Sequence, residues 1–407
     1  MTTRETLSHS RRHWLRTAAG VLGSGAVTQL WATPSTDARF LLVFLRGGYD
    51  AMSVLVPHAS TFYHEVRPNI RIPLRDASNA KKPGADRIDA QWALHPSLSS
   101  SVWPLVLEGQ ATFIPFSGVD NLSRSHFETQ DFIEMGRSAS GPRDFRSGFM
   151  NRLAGALGGH VRSVSFTDQL PLTFRGSVEV GNVSLRSLPN PAALSGSTQP
   201  LTALYKGHPL EGRISEAFGL RAEVAQVAKG EMEAASRNAI SALGFELEAR
   251  RMARFMRDRY TLGFVDVGGW DTHVGQGATE GYLASRLQEL GRGLAGFAEE
   301  MGPNAWQRTV VAVVSEFGRT FRENGGRGTD HGHGSVCWIL GGGLSGAPVV
   351  GEQVALSAST LNQNRDLPVI NRLPEVLAGL FARQFGLSPT ALNEIFPDAQ
   401  ARDLKLI

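Results

Sequence analysis

Carboxylate and imidazole side chains are concentrated in one 80-residue stretch of the chain, from Phe264 to Gly343. The stretch contains the segments GGWDTH, SEFGRT and GTDHGHG, in that order. Oxygen and imidazole ligands without a thiolate among them suit zinc, manganese and similar divalent cations. The sequence therefore predicts a divalent metal site, with zinc, manganese, magnesium or calcium as the candidate ions. The predicted ligands in this stretch are Asp271, His273, Glu316, His331 and His333, and the further candidates are Asp330 and Arg319.

Each of these segments alone is weak evidence for a metal site. Asp-x-His is short and frequent by chance, and His-Gly-His-Gly is also compatible with a solvated loop. The three segments together border three apolar runs, which is much harder to attribute to chance. We therefore interpret the clustering as a functional site.

The apolar runs predict the strands that position these segments. They are FVDV before GGWDTH, TVVAVVS ahead of Glu316, and VCWIL after the histidine loop. Short buried strands bordered by polar, glycine-rich loops are typical of an open α/β sheet, which presents its site at the strand ends. An amphipathic pattern from Tyr282 to Met301 predicts a helix between the first two runs, and hence a βαβ unit. The run from Phe40 to Leu45 predicts a first, central strand.

The same three segments resemble the family called domain of unknown function 1501 (DUF1501), which is exported by the twin-arginine (Tat) route and grouped with the alkaline phosphatase and sulfatase clan. The segments FLRGGYDAMSVLVP, ALHPSL and SRSHFETQDFIEMG extend the resemblance over most of the chain. The resemblance implies an α/β fold, with an alkaline-phosphatase-like, mostly parallel sheet sandwiched by helices and a helical insertion. It also implies a metal-dependent hydrolase that acts on a phosphate, sulfate or related ester, either a small molecule or a polymer.

The resemblance further implies a nucleophile at the place where a strand turns into a helix. Ser123 and Ser125 both lie in such a place, with Arg124 to pair with an oxyanion and His126 as a possible metal ligand. A helix N-terminus favours negative charge, so it would assist an alkoxide and bind a phosphate or sulfate. However, Ser125-x-x-Glu128 is also the pattern of a capping box, which would occupy the hydroxyl. The sequence leaves both roles open for Ser125.

The ligand set differs from the pattern of the clan in two places. The clan has a metal-binding acid after its first strand, and Asp50 is the nearest match, although Gly-x-Asp is also ordinary turn chemistry. Clan phosphatases carry an Asp-His pair where this chain has Glu316-Phe317, so His331 or His333 would have to supply the missing imidazole. The formylglycine signature of sulfatases, CxPSR, is not in the sequence. These departures keep a second hypothesis open, that of a non-catalytic periplasmic binding or assembly protein that retains the fold.

Residues 1–37 have the pattern of a Tat signal peptide. Ser10 to Arg16 contains a pair of arginines, and Thr17 to Ala32 is a mildly apolar run without charge. Sixteen residues are too few for a stable membrane span, so we expect no transmembrane anchor. Export by the Tat translocase would place the protein in the periplasm or outside the cell. The mature chain, residues 38–407, is predicted to be a single domain, with residues 137–260, approximately, as the insertion and helical cap region.

The basic character of the full chain comes from this signal. The chain has 41 basic and 38 acidic residues, and residues 1–36 contribute four arginines and one glutamate. Residues 37–407, with 37 basic and 37 acidic residues, are formally neutral. A neutral chain does not favour binding to a polyanion, so we expect no nucleic acid partner.

Overall fold

The computed structural model describes residues 37–79, 82–137, 141–158, 161–183, 206–213 and 244–407. The predicted signal peptide and most of the helical pattern before residue 244 lie outside these residues. The described residues all belong to one compact unit. Among the described helices, none has the length and apolar character that crossing a membrane requires.

Eleven strands are formed by the described residues. They are β1 (Arg39–Leu45), β2 (Leu55–Val56), β3 (Asp86–Arg87), β4 (Ala93–Leu94), β5 (Ala111–Gly118), β6 (Ser163–Ser165), β7 (Gly181–Asn182), β8 (Leu262–Val267), β9 (Thr309–Ser315), β10 (Ser335–Leu340) and β11 (Asn371–Arg372). Eight of them make the main sheet, in the order β11-β5-β10-β9-β1-β8-β6-β7. The other three make a small antiparallel sheet in the order β2-β4-β3.

The helices of the described residues cover both faces of the main sheet. They are α1 (Ala51–Val54), α2 (Thr61–Val66), α3 (Val102–Leu107), α4 (His126–Met135), α5 (Phe149–Leu157), α6 (Phe245–Asp258), α7 (Tyr282–Trp306), α8 (Leu373–Phe385) and α9 (Pro389–Ile395). Short 3₁₀ turns lie at Pro96–Leu98 and Leu172–Phe174. The predicted α/β fold, a mostly parallel sheet flanked by helices, is confirmed.

Only β10 runs against the other strands of the main sheet. It pairs antiparallel with β5 and with β9, whereas the other neighbours pair in parallel. Its amino-terminal end therefore lies at the edge where β1, β5, β8 and β9 have their carboxyl ends. Because of this reversal, the loop before β10, which contains His331 and His333, lies beside the loops that follow the parallel strands.

The alternation of side chains along β1 shows why the sheet is covered on both faces. Successive residues of a strand point to opposite faces. Leu41 and Val43 pack into the core shared with α3, α6 and α7, while Leu42 and Phe44 pack into the core shared with α5, α8 and α9. All four side chains are buried, as expected for a central strand with helices on either side.

The described part of the predicted insertion region adds to the sheet edge and to the helical layers on both faces, with α5 on one face and α6 on the other. β6 and β7 extend the main sheet beyond β8. Helix α6 packs against α7, and its apolar side chains Phe245, Met252 and Met256 belong to the core that includes β1. This helix therefore lies on a face of the sheet.

Candidate metal centre

Four side chains from three parts of the fold meet at the carboxyl edge of the sheet. Asp271 and His273 follow β8, His331 precedes β10, and His126 is the first residue of α4, which follows β5. The Nε2 atom of His331 lies 2.9 Å from Nε2 of His126 and 3.1 Å from Nε2 of His273. The same atom is 3.1 Å from Oδ1 of Asp271. Oδ1 of Asp271 is 2.9 Å from His273 Nε2, and Oδ2 is 3.6 Å from His126 Nε2.

The other ring nitrogen of each histidine faces an oxygen that accepts hydrogen bonds. A neutral imidazole has one N–H, and an acceptor at Nδ1 keeps the proton there. We therefore assign a lone pair to all three Nε2 atoms. The three pairs are His126 Nδ1 with Glu316 Oε1 at 2.8 Å, His331 Nδ1 with the backbone oxygen of Arg124 at 3.0 Å, and His273 Nδ1 with Asp330 Oδ1 at 3.2 Å.

This arrangement fits a divalent metal ion. Three lone pairs and a carboxylate at such short distances repel one another unless a cation lies between them. In a tetrahedral site with metal–nitrogen bonds of about 2.0–2.1 Å, neighbouring ligand atoms are roughly 3.3 Å apart, and the distances here bracket that value. His126, Asp271 and His331 each offer a ligand atom within 4.8 Å of the others. Oxygen partners on the outer nitrogens are the usual second layer of such a site.

Opposite pKa shifts mark the two histidines that face each other. The hydrogen bond to Glu316 raises the pKa of His126. Burial lowers the pKa of His331, and the charges of His126 and Arg319 lower it further. Burial raises the pKa of Asp271, but the positive charge of Arg319 and the other neighbouring groups together outweigh this effect, so the pKa of Asp271 is lowered. The carboxylate therefore stays ionised, as a metal ligand must.

Glu316 lies next to the centre but differs from its predicted role as a ligand. Its Oε1 accepts hydrogen bonds from His126 Nδ1, Gln130 Nε2 and the backbone N–H of Gly47, each at 2.8 Å, and its Oε2 accepts one from Ser315 Oγ. Burial raises the pKa of Glu316, but these hydrogen bonds lower it below its usual value. With its oxygens already occupied, the carboxylate orients His126 and does not approach the four converging ligand atoms.

Asp50 is also placed differently from the prediction, since it is closed into a buried ion pair. Its oxygens accept from Arg67 Nη1 at 2.6 Å and Nη2 at 3.0 Å, and also from Ser53 and Gln276. Both partners of the ion pair are fully buried, with 0% and 1% side-chain exposure. Burial raises the pKa of Asp50, but Arg67 together with Ser53 and Gln276 outweighs this effect, so the pKa is lowered. An acid so fully bound is not available to a metal ion.

His333 lies outside the cluster, whereas Arg319 and Asp330 support it. His333 is buried, and burial lowers its pKa. Asp330 Oδ1 is the partner of His273 Nδ1, and it also accepts a hydrogen bond from Asn324 Nδ2 at 3.0 Å. The Arg319 side chain is fully buried, and its Nη1 lies 2.9 Å from Asp271 Oδ1. The pair lacks hydrogen-bond alignment, because none of the three guanidinium nitrogens has a hydrogen-bond partner among the described residues.

The predicted capping box is not formed. Ser125 is the N-cap of α4, but its side chain makes no capping hydrogen bond. Glu128 pairs instead with Arg143, and the amide of Ser125 donates to Ser123 Oγ at 3.3 Å. The Ser125 hydroxyl therefore does not cap the helix. The Arg124 guanidinium donates hydrogen bonds to Asp366 and Gln363, so it is not available to pair with an oxyanion.

Sequence reasoning ranked His126 too low. The position where the clan has a second imidazole is taken by Phe317, whose ring packs 4.9 Å from that of His126 and 5.0 Å from that of His331. His126 supplies the third imidazole from the start of α4. The sequence signal for His126 was its position. It is the first residue of the helix that follows β5, and this position lies at the carboxyl edge of the sheet. The buried Gln276, which accepts from Thr272 and Thr329, had no such signal.

Comparisons with known proteins identify a family and a distant structural likeness. A family model described as "Protein of unknown function (DUF1501)" matches residues 37–396. No curated protein matches the chain. A crystal structure of a protein in the alkaline phosphatase superfamily from Vibrio parahaemolyticus is similar at 10% sequence identity, with a TM-score of 0.34. The match covers 76% of this chain and 62% of that protein, so the chain spans less than two thirds of its length.

Proposed function

We propose that this chain, which belongs to the DUF1501 family, is a metal-dependent hydrolase that acts on a phosphate, sulfate or related ester. The observation that carries the proposal is the convergence of three imidazole lone pairs on the carboxylate of Asp271. Such a donor set has no role in packing a core. It suits a divalent ion of the zinc or manganese type.

His126, His331 and Asp271 would hold the ion, and His273, whose Nε2 adjoins His331 and Asp271, lies beside it. When bound, a divalent ion polarises an ester oxygen and lowers the pKa of a water molecule. The protein itself orients the ligands and keeps them in the protonation state that binds a metal ion. The Nδ1 partners fix the ring orientations, and the buried charge of Arg319 keeps Asp271 ionised.

The N-terminus of α4 supports binding of an anionic group beside the metal centre. His126 belongs both to the centre and to the first turn of this helix. The first amide that bonds within the helix is that of Thr129, which donates to the backbone oxygen of Ser125. The N–H groups before it have no intrahelical acceptor, and the helix dipole adds positive potential. A phosphoryl or sulfuryl group at the centre would therefore meet these amides.

Ser125 is the proposed nucleophile, because its hydroxyl lies at this helix N-terminus and is free of the capping bond. Attack by its Oγ on the central phosphorus or sulfur atom would transfer that group to the serine and release the alcohol. Water would then hydrolyse the serine ester. If Ser125 is not required, water attacks the substrate directly.

The proposal is tested by metal analysis and an ester screen on the same preparation. We expect about one divalent ion per chain, and hydrolysis of a phosphomonoester, phosphodiester or sulfate ester that a chelator abolishes and added metal restores. His331→Ala should lose both metal and turnover, while the matched control His58→Ala, at a partly exposed histidine bound to the backbone of Asp89, should lose neither. Wild-type protein that cannot take up metal would refute the proposal. Metal without turnover on any ester would favour a binding or assembly protein.

We also propose that the protein is exported through the Tat translocase to the periplasm or beyond the cell. The support is the arginine pair followed by a short, weakly apolar run. Tat carries folded proteins, which is compatible with a metal centre assembled before export.

A further inference from the structure

Three exposed apolar side chains lie close in the chain to the residues of the proposed metal centre. Phe127 is 83% exposed, Val274 is 77% exposed and Leu122 is 49% exposed. Eight large apolar side chains are exposed in the described part of the chain, and these three are the ones within four residues of a proposed metal ligand. We call them the apolar rim. Single exposed apolar residues are ordinary on a protein surface, but a group around one open site marks a binding surface.

The rim is held in place by the same segments that hold the metal ligands. Consecutive residues of a helix point about 100° apart, so turning His126 toward the centre leaves Phe127 on its outer flank. On the other side, the backbone of Val274 is fixed between two hydrogen bonds. Asn324 donates to the backbone oxygen of His273, and the amide of Gly275 donates to Gly326. The exposed side chains are therefore presented by ordered backbone.

The centre is open to solvent. The side chains of Asp271, His273 and Asp330 are 44%, 41% and 49% exposed. An ester whose anionic group lies on the metal and the α4 amides would project its remaining part into solvent, and Phe127 and Val274 are the exposed apolar side chains that directly follow His126 and His273 in the chain. A polar alcohol would gain nothing from Phe127 or Val274, whereas an apolar one would remove their surfaces from water.

We propose that the substrate is an amphiphilic ester, in which an alkyl or aryl group adjoins the phosphate or sulfate and lies on the apolar rim. This inference rests on the proposed function for the position of the anionic group. It adds the chemical class of the other half of the substrate. The rim then acts in specificity, and the metal centre acts in turnover.

Binding of n-alkylphosphonates to the metal-loaded protein tests the rim separately from catalysis, because their carbon–phosphorus bond is not an ester. Methyl-, butyl- and octylphosphonate are titrated by calorimetry. A fully buried methylene strengthens binding about fourfold, and an open rim covers only one side of a chain, so we expect octylphosphonate to bind roughly 10- to 100-fold tighter than methylphosphonate. Phe127→Ser and Val274→Thr should reduce this ratio and leave methylphosphonate binding unchanged.

Leu107→Ser is the matched control. Leu107 is 69% exposed, but it ends α3 before the start of β5, about 25 Å from the site along the strand. A ratio near one in wild type, or an equal loss of the ratio in Leu107→Ser and Phe127→Ser, would overturn the inference even if esters are hydrolysed. A chain-length dependence that requires Phe127, without turnover of any ester, would support the rim as a surface that binds an amphiphile and refute the hydrolase. If no phosphonate binds, the inference is refuted, and the ester screen decides the hydrolase separately.

Discussion

At the scale of single residues, the centre depends on which nitrogen of each histidine carries its proton. Oxygen acceptors on the Nδ1 atoms of His126, His273 and His331 leave a lone pair on each Nε2 atom, and these three atoms lie near the carboxylate of Asp271. Those acceptors are a carboxylate, a second carboxylate and a backbone oxygen. The backbone oxygen belongs to Arg124, which has a positive φ of 55°. That unusual conformation occurs next to the proposed site, where local strain is often found.

The role of Ser125 can be measured against Ser123. Because Ser125 makes no capping hydrogen bond, Ser125→Ala should change the free energy of unfolding by less than about 0.5 kcal/mol. If its hydroxyl attacks the ester, turnover should fall by several orders of magnitude. Ser123→Ala removes the acceptor for the Ser125 amide and should cost about 0.5–1 kcal/mol with turnover largely retained. Urea unfolding and initial rates on the best ester make the comparison. Full activity in both variants would assign the attack to water.

Sequence alone predicted the residue types of the centre better than their roles. Asp271, His273 and His331 lie in short segments whose composition already indicates metal ligands. The roles of Glu316 and Asp50 could not be predicted, because each depends on a partner outside its own segment. His126 lies 190 residues from Glu316, and Arg67 belongs to a segment without a clear pattern. Buried charge pairs of this kind are set by tertiary packing and leave no local signal.

At the scale of elements, the ion pair between Asp50 and Arg67 joins the turn after β1 to the end of α2 and to the loop after β9. Arg67 also donates to the backbone oxygens of Phe321 and Thr320. Arg67→Met leaves the Asp50 carboxylate buried and unpaired, so we expect a loss of about 3–5 kcal/mol in the free energy of unfolding. The double variant with Asp50→Asn should recover part of that loss.

The control for this prediction is Arg143→Met, which breaks the partly exposed pair with Glu128. It should cost less than about 1 kcal/mol. Metal content should be unchanged in all of these variants, because Asp50 is outside the ligand cluster. Loss of metal in Asp50→Asn at full folding would restore Asp50 as a ligand.

The buried His95 should make the free energy of unfolding decrease at acid pH. It precedes the Pro96–Leu98 turn, accepts from the amide of Ser97 at 3.1 Å, and lies 3.0 Å from the backbone oxygen of Ala278. Burial lowers its pKa from 6.5 to about 4. Between these values the unfolded chain binds more protons, so the free energy of unfolding decreases as pH falls from 6.5 toward 4. From pH 7.5 to 5 the contribution is roughly 2 kcal/mol.

This contribution should be missing in His95→Gln. Urea unfolding at pH 7.5 and pH 5 would show a smaller pH-dependent loss than in wild type, although the variant is less stable at pH 7.5. His58→Gln, at a partly exposed position, should keep the wild-type dependence. An equal pH dependence in wild type and His95→Gln would contradict the prediction.

The direction of β10 is an element-scale feature that the sequence allowed but did not specify. A parallel return between adjacent strands needs a crossover, usually a helix. The residues between Ser315 and Ser335 form no helix, which favours the observed antiparallel pairing of β9 with β10. The apolar runs alone could not give this direction, because their side-chain pattern is the same in either orientation.

At the scale of the whole molecule, the proposed signal and the rest of the chain differ in net charge. The first 36 residues have a net charge of +3, and the remaining residues are formally neutral. A formally neutral chain with the proposed metal centre and an apolar rim is consistent with a small amphiphilic substrate. In the proposed Tat export, folding would precede transport, because the centre joins residues from 126 to 331 and can form only in the folded chain.

Export can be tested on the arginine pair. We expect replacement of both Arg11 and Arg12 by lysine to trap the precursor in the cytoplasm, because the Tat signal depends on the pair and not on positive charge alone. Arg4→Lys, a change of the same chemistry outside the pair, is the matched control and should be exported normally. Cell fractionation followed by immunoblotting measures both, and the cytoplasmic precursor should still contain metal. Periplasmic accumulation of the double-lysine variant at the wild-type level would refute the signal assignment, and with it the proposed location.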